Sequence, residues 1–158
     1  MSLAVRPYRP SDRAAFLELY GACLRHYACG SADPAMLDDL LRELAADFGT
    51  HADIAWTGDR PIGFAFTLRV PAGSGFATYL KELFVAPDGR GSGAGRALMR
   101  TIAARVLTMG HLRLQWETGE PGAREFYAAL GAPDDGKTHY TLSGPALARL
   151  ADGSPGRE

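Results

Sequence analysis

Leu80-Lys81-Glu82-Leu83-Phe84-Val85-Ala86-Pro87-Asp88-Gly89-Arg90-Gly91-Ser92-Gly93-Ala94-Gly95-Arg96 carries a strand into a glycine-rich turn and out into a helix. The apolar run ending at Val85 reads as the strand, Pro87-Asp88-Gly89 breaks it, and Leu98, Ile102, Val106 and Met109 mark one face of a helix from about Gly93 to Met109. Glycines let the backbone take positive φ and approach a ligand, while a helix start offers unpaired N–H groups and a partial positive charge. That is anion-binding geometry. A plain tight turn is the other reading of the same residues. A dinucleotide-binding fingerprint needs G-x-G-x-x-G, but counting from Gly89 puts Ala94 at the third place and counting from Gly91 puts Arg96 there. A phosphate loop of the Walker type needs a Lys, and none follows these glycines.

Outward from this stretch the elements alternate in type. Leu3, Val5 and Arg6 before Pro7 read as a strand closed by Pro10-Ser11-Asp12 as turn and helix cap. Phe16, Tyr20, Cys23, Leu24 and Tyr27 recur at helical spacing. Asp33 and Pro34 open a second helix whose stripe is Leu37, Leu40, Leu41, Leu44 and Phe48. The period then falls to two: Ile54 and Trp56, a turn at Gly58-Asp59, then Ile62, Phe64, Phe66, Leu68 and Val70 make a hairpin. A loop from Pro71 to Gly75 leads to a strand from about Phe76 to Val85. After the long helix, Leu112, Leu114 and Trp116 alternate as a strand, Ala123 to Leu130 reads as a short helix stopped by Gly131, and Thr138 to Leu142 reads as the last strand. The order implies one α/β (α+β) domain over 1–150, with a mixed sheet flanked by helices, and a disordered tail over 151–158.

Composition narrows the function. Seventeen basic residues, only Lys81 and Lys137 of them Lys, balance eighteen acidic ones, so no charge excess points to nucleic acid or an anionic membrane. The two cysteines, Cys23 and Cys29, have no partners at zinc-ligand spacing, and His26, His51, His111 and His139 fit no triad or metal site. No metal is expected. No apolar run reaches membrane-spanning length and the start carries charges, so a cytoplasmic protein is expected.

Leu80 to Pro87, then Arg90-x-x-Gly93-x-Gly95 and Leu98-Met99, resemble the acetyl-coenzyme A signature of the GNAT superfamily of N-acetyltransferases. Downstream, Ala123-x-x-Phe126-Tyr127-x-x-Leu130-Gly131-Ala132 is similar to that family's second signature, and the order of elements fits from Leu3 to about Leu142. The resemblance implies a mostly antiparallel sheet whose bulged strand, ending Leu83-Phe84-Val85, splays from its neighbour and leaves backbone groups for the pantetheine arm. It implies that the backbone N–H groups of Gly91, Ser92, Gly93, Ala94, Gly95 and Arg96 cradle the pyrophosphate, with the side chains of Arg90 and Arg96 either contacting phosphates or flanking the helix start as solvated groups. As a buried strand, Leu83, Phe84 and Val85 would serve packing as well.

The implied reaction is direct transfer of an acetyl group from acetyl-coenzyme A to a primary amine of a small molecule (a diamine, polyamine or amino acid) or a peptide. The resemblance makes Tyr127 the acid that protonates the leaving thiolate, with Phe126 filling the core while Tyr127 faces a cleft; the other reading makes Tyr127 a core aromatic of the same amphipathic helix. Many relatives carry two acidic residues just before the bulged Leu-x-Val; here the first place is Lys81 and only the second, Glu82, is acidic, which makes Glu82 either the base or a structurally paired carboxylate, with Glu117 at the end of the neighbouring strand as the second candidate for the base. Simple alternation puts Glu82 on one face with Leu80 and Phe84, and Lys81 with Tyr79 and Leu83. Glu120 stands where relatives often place an Asn against the cofactor. His26 and Tyr27 border the implied acceptor site, and Asp33, Asp38 and Asp39 are the acids a polyamine site would use, or else a solvated helix face. The resemblance admits a homodimer. The rival reading is a coenzyme A-binding sensor or regulatory module without turnover, to which Lys81 in place of an acid lends weight.

Overall fold

The alternation from Ile54 to Val70 forms the hairpin it signals. In the computed structural model, which describes residues 2–153, β2 (Thr50–Thr57) and β3 (Arg60–Ala72) pair antiparallel, with Ile54 opposite Phe64. The chain forms two units, one ending at Glu117 and one beginning at Thr118. The first contains β1 (Leu3–Pro7), α1 (Arg13–His26), α2 (Pro34–Ala46), β2, β3, β4 (Gly75–Val85), α3 (Ala94–Thr108) and β5 (Leu114–Gln115). The sheet runs β1-β2-β3-β4-β5 in sequence order, antiparallel except for the parallel β4–β5 pair. This is the mixed, mostly antiparallel sheet expected.

Each sheet face has its own helical cover. On one face Phe64 and Phe84 pack with Phe16, Leu19 and Cys23 of α1 and Leu41 and Leu44 of α2. Phe16 is fully buried, edge-on to Phe64 at 5.5 Å between ring centroids. Burying one such side chain is worth about 1.5–3 kcal/mol. On the other face α3 presents Leu98, Ile102 and Val106, and its Arg105 reaches the fully buried Asp53 of β2 with both terminal nitrogens, Nη1 at 2.8 Å. Asp53 pairs with Ala65, so Ala65 and Thr67 point toward α3 while Phe64 and Phe66 point toward α1.

Several expectations are corrected in this unit. Asp12 makes no side-chain cap for α1, because Arg6 takes its carboxylate at 2.6 and 2.8 Å and the Arg9 N–H at 2.9 Å. Asp33 does cap α2, accepting from the Ala35 N–H at 3.0 Å. That helix stops when Asp47 turns left-handed (φ 50°), leaving Phe48 exposed instead of on the stripe. Met109 likewise follows the end of α3 and is exposed. The loop expected from Pro71 to Gly75 shrinks to Gly73-Ser74, because Pro71 and Ala72 still pair with Phe76 and Gly75, and Gly73 supplies the positive φ of the turn.

The second unit contains α4 (Pro121–Ala129), stopped by Gly131 at φ 82°, and α5 (Gly144–Ala151). The strand expected over Thr138 to Leu142 is not formed. A strand exists only through a ladder, and among the described residues this segment has local bonds instead, such as His139 to the Thr141 hydroxyl at 2.9 Å. Ala151, the first residue of the expected tail, still belongs to α5, and residues 154–158 lie outside the described residues.

Candidate active site

The bulge in β4 sets the geometry of the first unit's site. Phe66 of β3 pairs with Glu82 and the next residue, Thr67, pairs with Leu80, so Lys81 has no partner. Phe66 and Thr67 point to opposite faces, so Glu82 and Leu80 do too. Glu82 therefore shares the α1 face with Phe84, as expected, but not with Leu80, which is turned toward α3. Tyr79, opposite Leu68, joins Glu82 on the α1 face. Simple alternation had put Tyr79 with Lys81; the extra residue reverses that. Lys81 is exposed and Glu82 half-buried.

Two tyrosines report the acidic groups on this face. Burial pushes the Tyr20 phenol up, and the Glu82 charge adds to the effect. Tyr20 sits on α1, its ring 6.0 Å from that of Phe64. Burial also raises the Tyr79 phenol, with help from the Glu117 charge and a hydrogen bond that Tyr79 donates to the Glu117 carboxylate. The two carboxylates expected as bases are thus both placed beside tyrosines that sequence reasoning took for core or strand residues.

The β4–β5 ladder has only two pairs, Thr78–Leu114 and Tyr79–Gln115. The strand expected from Leu112 to Glu117 therefore bonds β4 over its first part, where the Leu112 N–H also reaches the Phe76 carbonyl at 2.8 Å, and the outer edge of Leu80 to Val85 faces no strand among the described residues. Leu83 and Val85 are half-buried, and Phe84 is buried with its ring in the α1 core. Opposite Val85, Gly63 lets the backbones close up: a Cβ there would lie 2.7 Å from the Phe84 carbonyl oxygen.

From this open edge the chain passes through a 3₁₀ turn, Pro87–Gly89, into the glycine loop. Gly91 and Gly93 take φ 75° and 85°, and nothing lies within 4 Å of a Cβ built on either. Ser92 folds inward, donating to the Gly89 carbonyl at 2.6 Å and accepting the Ala94 N–H at 3.3 Å. Ala94, expected among the anion-binding residues, thus has its N–H occupied. Among the described residues the N–H groups of Gly91, Gly93 and Gly95 have no acceptor. Arg90 is exposed and bonds the Val85 carbonyl through Nε at 3.3 Å; Arg96 lies in the first turn of α3.

Near the end of α1, the His26 ring lies 4.9 Å from Tyr27 and 6.0 Å from Phe84. The acids offered for a polyamine are engaged: Asp33 in its cap, Asp38 with Arg13 at 3.0 Å, Asp39 with Arg42 at 2.7 Å. His51 pairs with Asp47 and His111 with the Thr78 hydroxyl, and no cluster of metal-ligating side chains occurs among the described residues.

In the second unit Tyr127 lies on α4 with its ring edge-on to Phe126, centroids 5.2 Å apart. The helix buries no residue fully, so Phe126 is not the core anchor expected. Glu120 caps α4 by backbone, its carbonyl accepting the Ala123 N–H at 3.1 Å.

The family model for acetyltransferases of the GNAT type matches residues 13–132. No curated protein sequence shows a significant match. Among solved structures, an integron cassette protein from the mobile metagenome of V. cholerae is 27% identical, with a TM-score of 0.77 over 96% of this chain and 98% of that one. AAC(6')-Iy, solved with the bisubstrate analog CoA-S-monomethyl-acetylneamine, is 18% identical with a TM-score of 0.77, over 91% and 99%. A ribosomal-protein-alanine N-acetyltransferase from Brucella melitensis biovar Abortus 2308 is 21% identical with a TM-score of 0.71, over 90% and 100%. At those last identities the likeness is one of fold.

Proposed function

We propose that this chain, which belongs to the acetyltransferase (GNAT) family, moves an acetyl group from acetyl-coenzyme A to a primary amine of a small molecule or peptide. The observation that carries this reading is the open edge of β4. Strand pairing stops at Tyr79, and the unpaired run to Val85 leads directly into the glycine loop. A pantetheine arm can pair with such an edge as an added strand does, through the backbone of Leu83, Phe84 and Val85. The N–H groups of Gly91, Gly93 and Gly95 suit a pyrophosphate at a helix start, with Arg90 and Arg96 as flanking cations. The residues fit the co-substrate.

When bound, acetyl-coenzyme A supplies the activated acetyl group; the chain's own part is to hold the amine and manage two protons. An amine with a lysine-like pKa of about 10.4 is almost wholly protonated at neutral pH, so a base must take one proton. Glu82 is that base in this reading, directly or through a water, and Glu117, engaged by Tyr79, is the alternative. The hydroxyl of Tyr127, in the family's Phe-Tyr pair, is the donor to the leaving sulfur. We place the reaction in the cytoplasm; no helix among the described residues is long and apolar enough to cross a membrane.

The test is thiol release from acetyl-coenzyme A across a panel of amines. Amine-dependent release supports the assignment. A melting shift with coenzyme A but no release with any amine would overturn it in favour of the binding module without turnover.

A further inference from the structure

We propose that the acceptor cleft selects an amine with an apolar body and an anionic group, and that Arg25 is the residue that reads the anion. The inference rests on the acetyltransferase reading and names the substrate class of that site.

A cleft of about 570 Å³ lies between α1, the α1–α2 connection and α2. That is within the roughly 300–1,000 Å³ of small-ligand sites. Leu17 and Leu24 from α1 and Leu37 from α2 give it apolar walls, and Tyr20 lines it as well. Tyr20 also packs on Phe64, 6.0 Å between ring centroids, on the sheet face to which Glu82 is turned, and the Glu82 charge adds to the burial that raises its phenol, so the cleft lies beside that face. An amine held beside Glu82 would have its body in this cleft.

One lining residue is charged, and it is a cation. Arg25 has no carboxylate partner among the described residues. Arg13 and Arg42, by contrast, are paired with Asp38 and Asp39. Arg25 packs over Gly21, one turn earlier in α1, its Nη1 3.4 Å from where a Gly21 Cβ would be, an ordinary contact distance. The guanidinium thus folds back along α1, one turn toward Tyr20, onto the cleft surface.

Charge then separates the acceptor classes. A diamine or polyamine entering this cleft would bring a second ammonium toward Arg25, with no lining carboxylate to receive it. An amino acid or other amino carboxylate brings an anion that a guanidinium binds with two parallel hydrogen bonds. An amine with a plain hydrocarbon body gains the apolar walls alone.

The experiment compares pentylamine, 5-aminopentanoate and 1,5-diaminopentane, which share a chain and differ in the far end, alongside L-phenylalanine and L-phenylalaninamide. Thiol release gives kcat/KM for each. The expected order has the carboxylate member first in at least one series and the diamine last. Arg25→Gln should raise KM for the carboxylate member about tenfold, the low end for a hydrogen bond to a charged group, leave pentylamine unchanged, and be partly rescued by Arg25→Lys. A preferred diamine, or a carboxylate preference that survives Arg25→Gln, overturns the proposal. Calorimetric binding of the same amines to wild type and Arg25→Gln, with coenzyme A present, is read in parallel. If no amine is acetylated, the acetyltransferase reading fails, and the binding comparison still decides whether Arg25 selects an anion.

Discussion

Glu82 stands opposite Phe66 in the β3–β4 ladder, one place out of step with Leu80 opposite Thr67, and the residue between them has no partner. The bulge at Lys81 is therefore what brings Tyr79 onto the α1 face with Glu82 and Phe84 and turns Leu80 away from them. Deleting Lys81 leaves Leu80 opposite Thr67 and Glu82 opposite Phe66 as consecutive pairs, so every side chain keeps its face and the ladder should survive. Deleting the paired Leu83 instead forces one side of the strand onto the wrong face. Lys81→Ala keeps the bulge and should stay within about 0.5 kcal/mol of wild type. Urea unfolding separates these outcomes, and a Lys81 deletion as destabilising as the Leu83 deletion would disprove the register.

Glu82→Gln preserves size and hydrogen bonding but removes basicity. If Glu82 takes the amine proton, the rate falls at neutral pH and recovers as rising pH deprotonates the amine unaided. The same substitution removes a charge that raises the Tyr20 phenol, so the Tyr20 titration should move down, though burial keeps it above its ordinary value. A shifted Tyr20 titration with an unchanged pH–rate profile would transfer the base role to Glu117 or solvent.

The division between what the sequence revealed and what it concealed follows from the range of the interactions. Asp33-Pro34 announced α2 and Gly131 the end of α4 because caps and stops are local. The glycine loop was legible for the same reason: its positive φ values belong to Gly91 and Gly93 themselves. The neighbours of Glu82 were not legible, since one unpaired residue reverses every face beyond it and only the partner strand reveals the slip. The strand over Thr138 to Leu142 failed similarly, because alternation describes a surface but not whether a neighbour exists to bond it. Asp12 had the composition of a cap, yet an arginine six residues earlier claimed its carboxylate.

That Arg6 contact has a pH signature. The hydrogen bond from Arg6, seconded by the Arg9 N–H, holds the Asp12 carboxyl below its ordinary value against the opposing effect of burial. A folded pKa lower than the unfolded one stabilises the native state above the unfolded value, about 3.9, and that stability is lost as pH falls through the folded value. Asp12→Asn should therefore be less stable than wild type at neutral pH, and the gap should close on acidification. Thermal melts across pH check this; a gap that is constant with pH would mean the carboxylate's charge contributes nothing.

Tyr127→Phe keeps the ring against Phe126 and removes one hydroxyl. A general acid of this kind typically contributes about 10²- to 10⁴-fold. Turnover should fall in that range while the coenzyme A dissociation constant, measured by calorimetry, stays near wild type. Unchanged turnover would return Tyr127 to a packing role.

Gly93 offers the sharpest test of the pyrophosphate site, because its φ of 85° and its open surroundings separate backbone strain from steric blockade. Gly93→Val forces a β-branched residue into a left-handed conformation at a cost of about 1–3 kcal/mol, so the variant should melt lower without ligand. Its side chain would also project into the space where the anion is proposed to sit. Acetyl-coenzyme A at a hundred times its dissociation constant should stabilise wild type by about 2.7 kcal/mol, and Gly93→Val should lose that increment. Gly110 supplies the control, since it too has positive φ (66°) and nothing within 4 Å of a built Cβ, but lies beyond the far end of α3. Gly110→Val should carry a similar strain and still respond to ligand. If both variants keep the ligand-induced shift, the pyrophosphate is bound elsewhere; if both lose it, strain and not blockade is the cause.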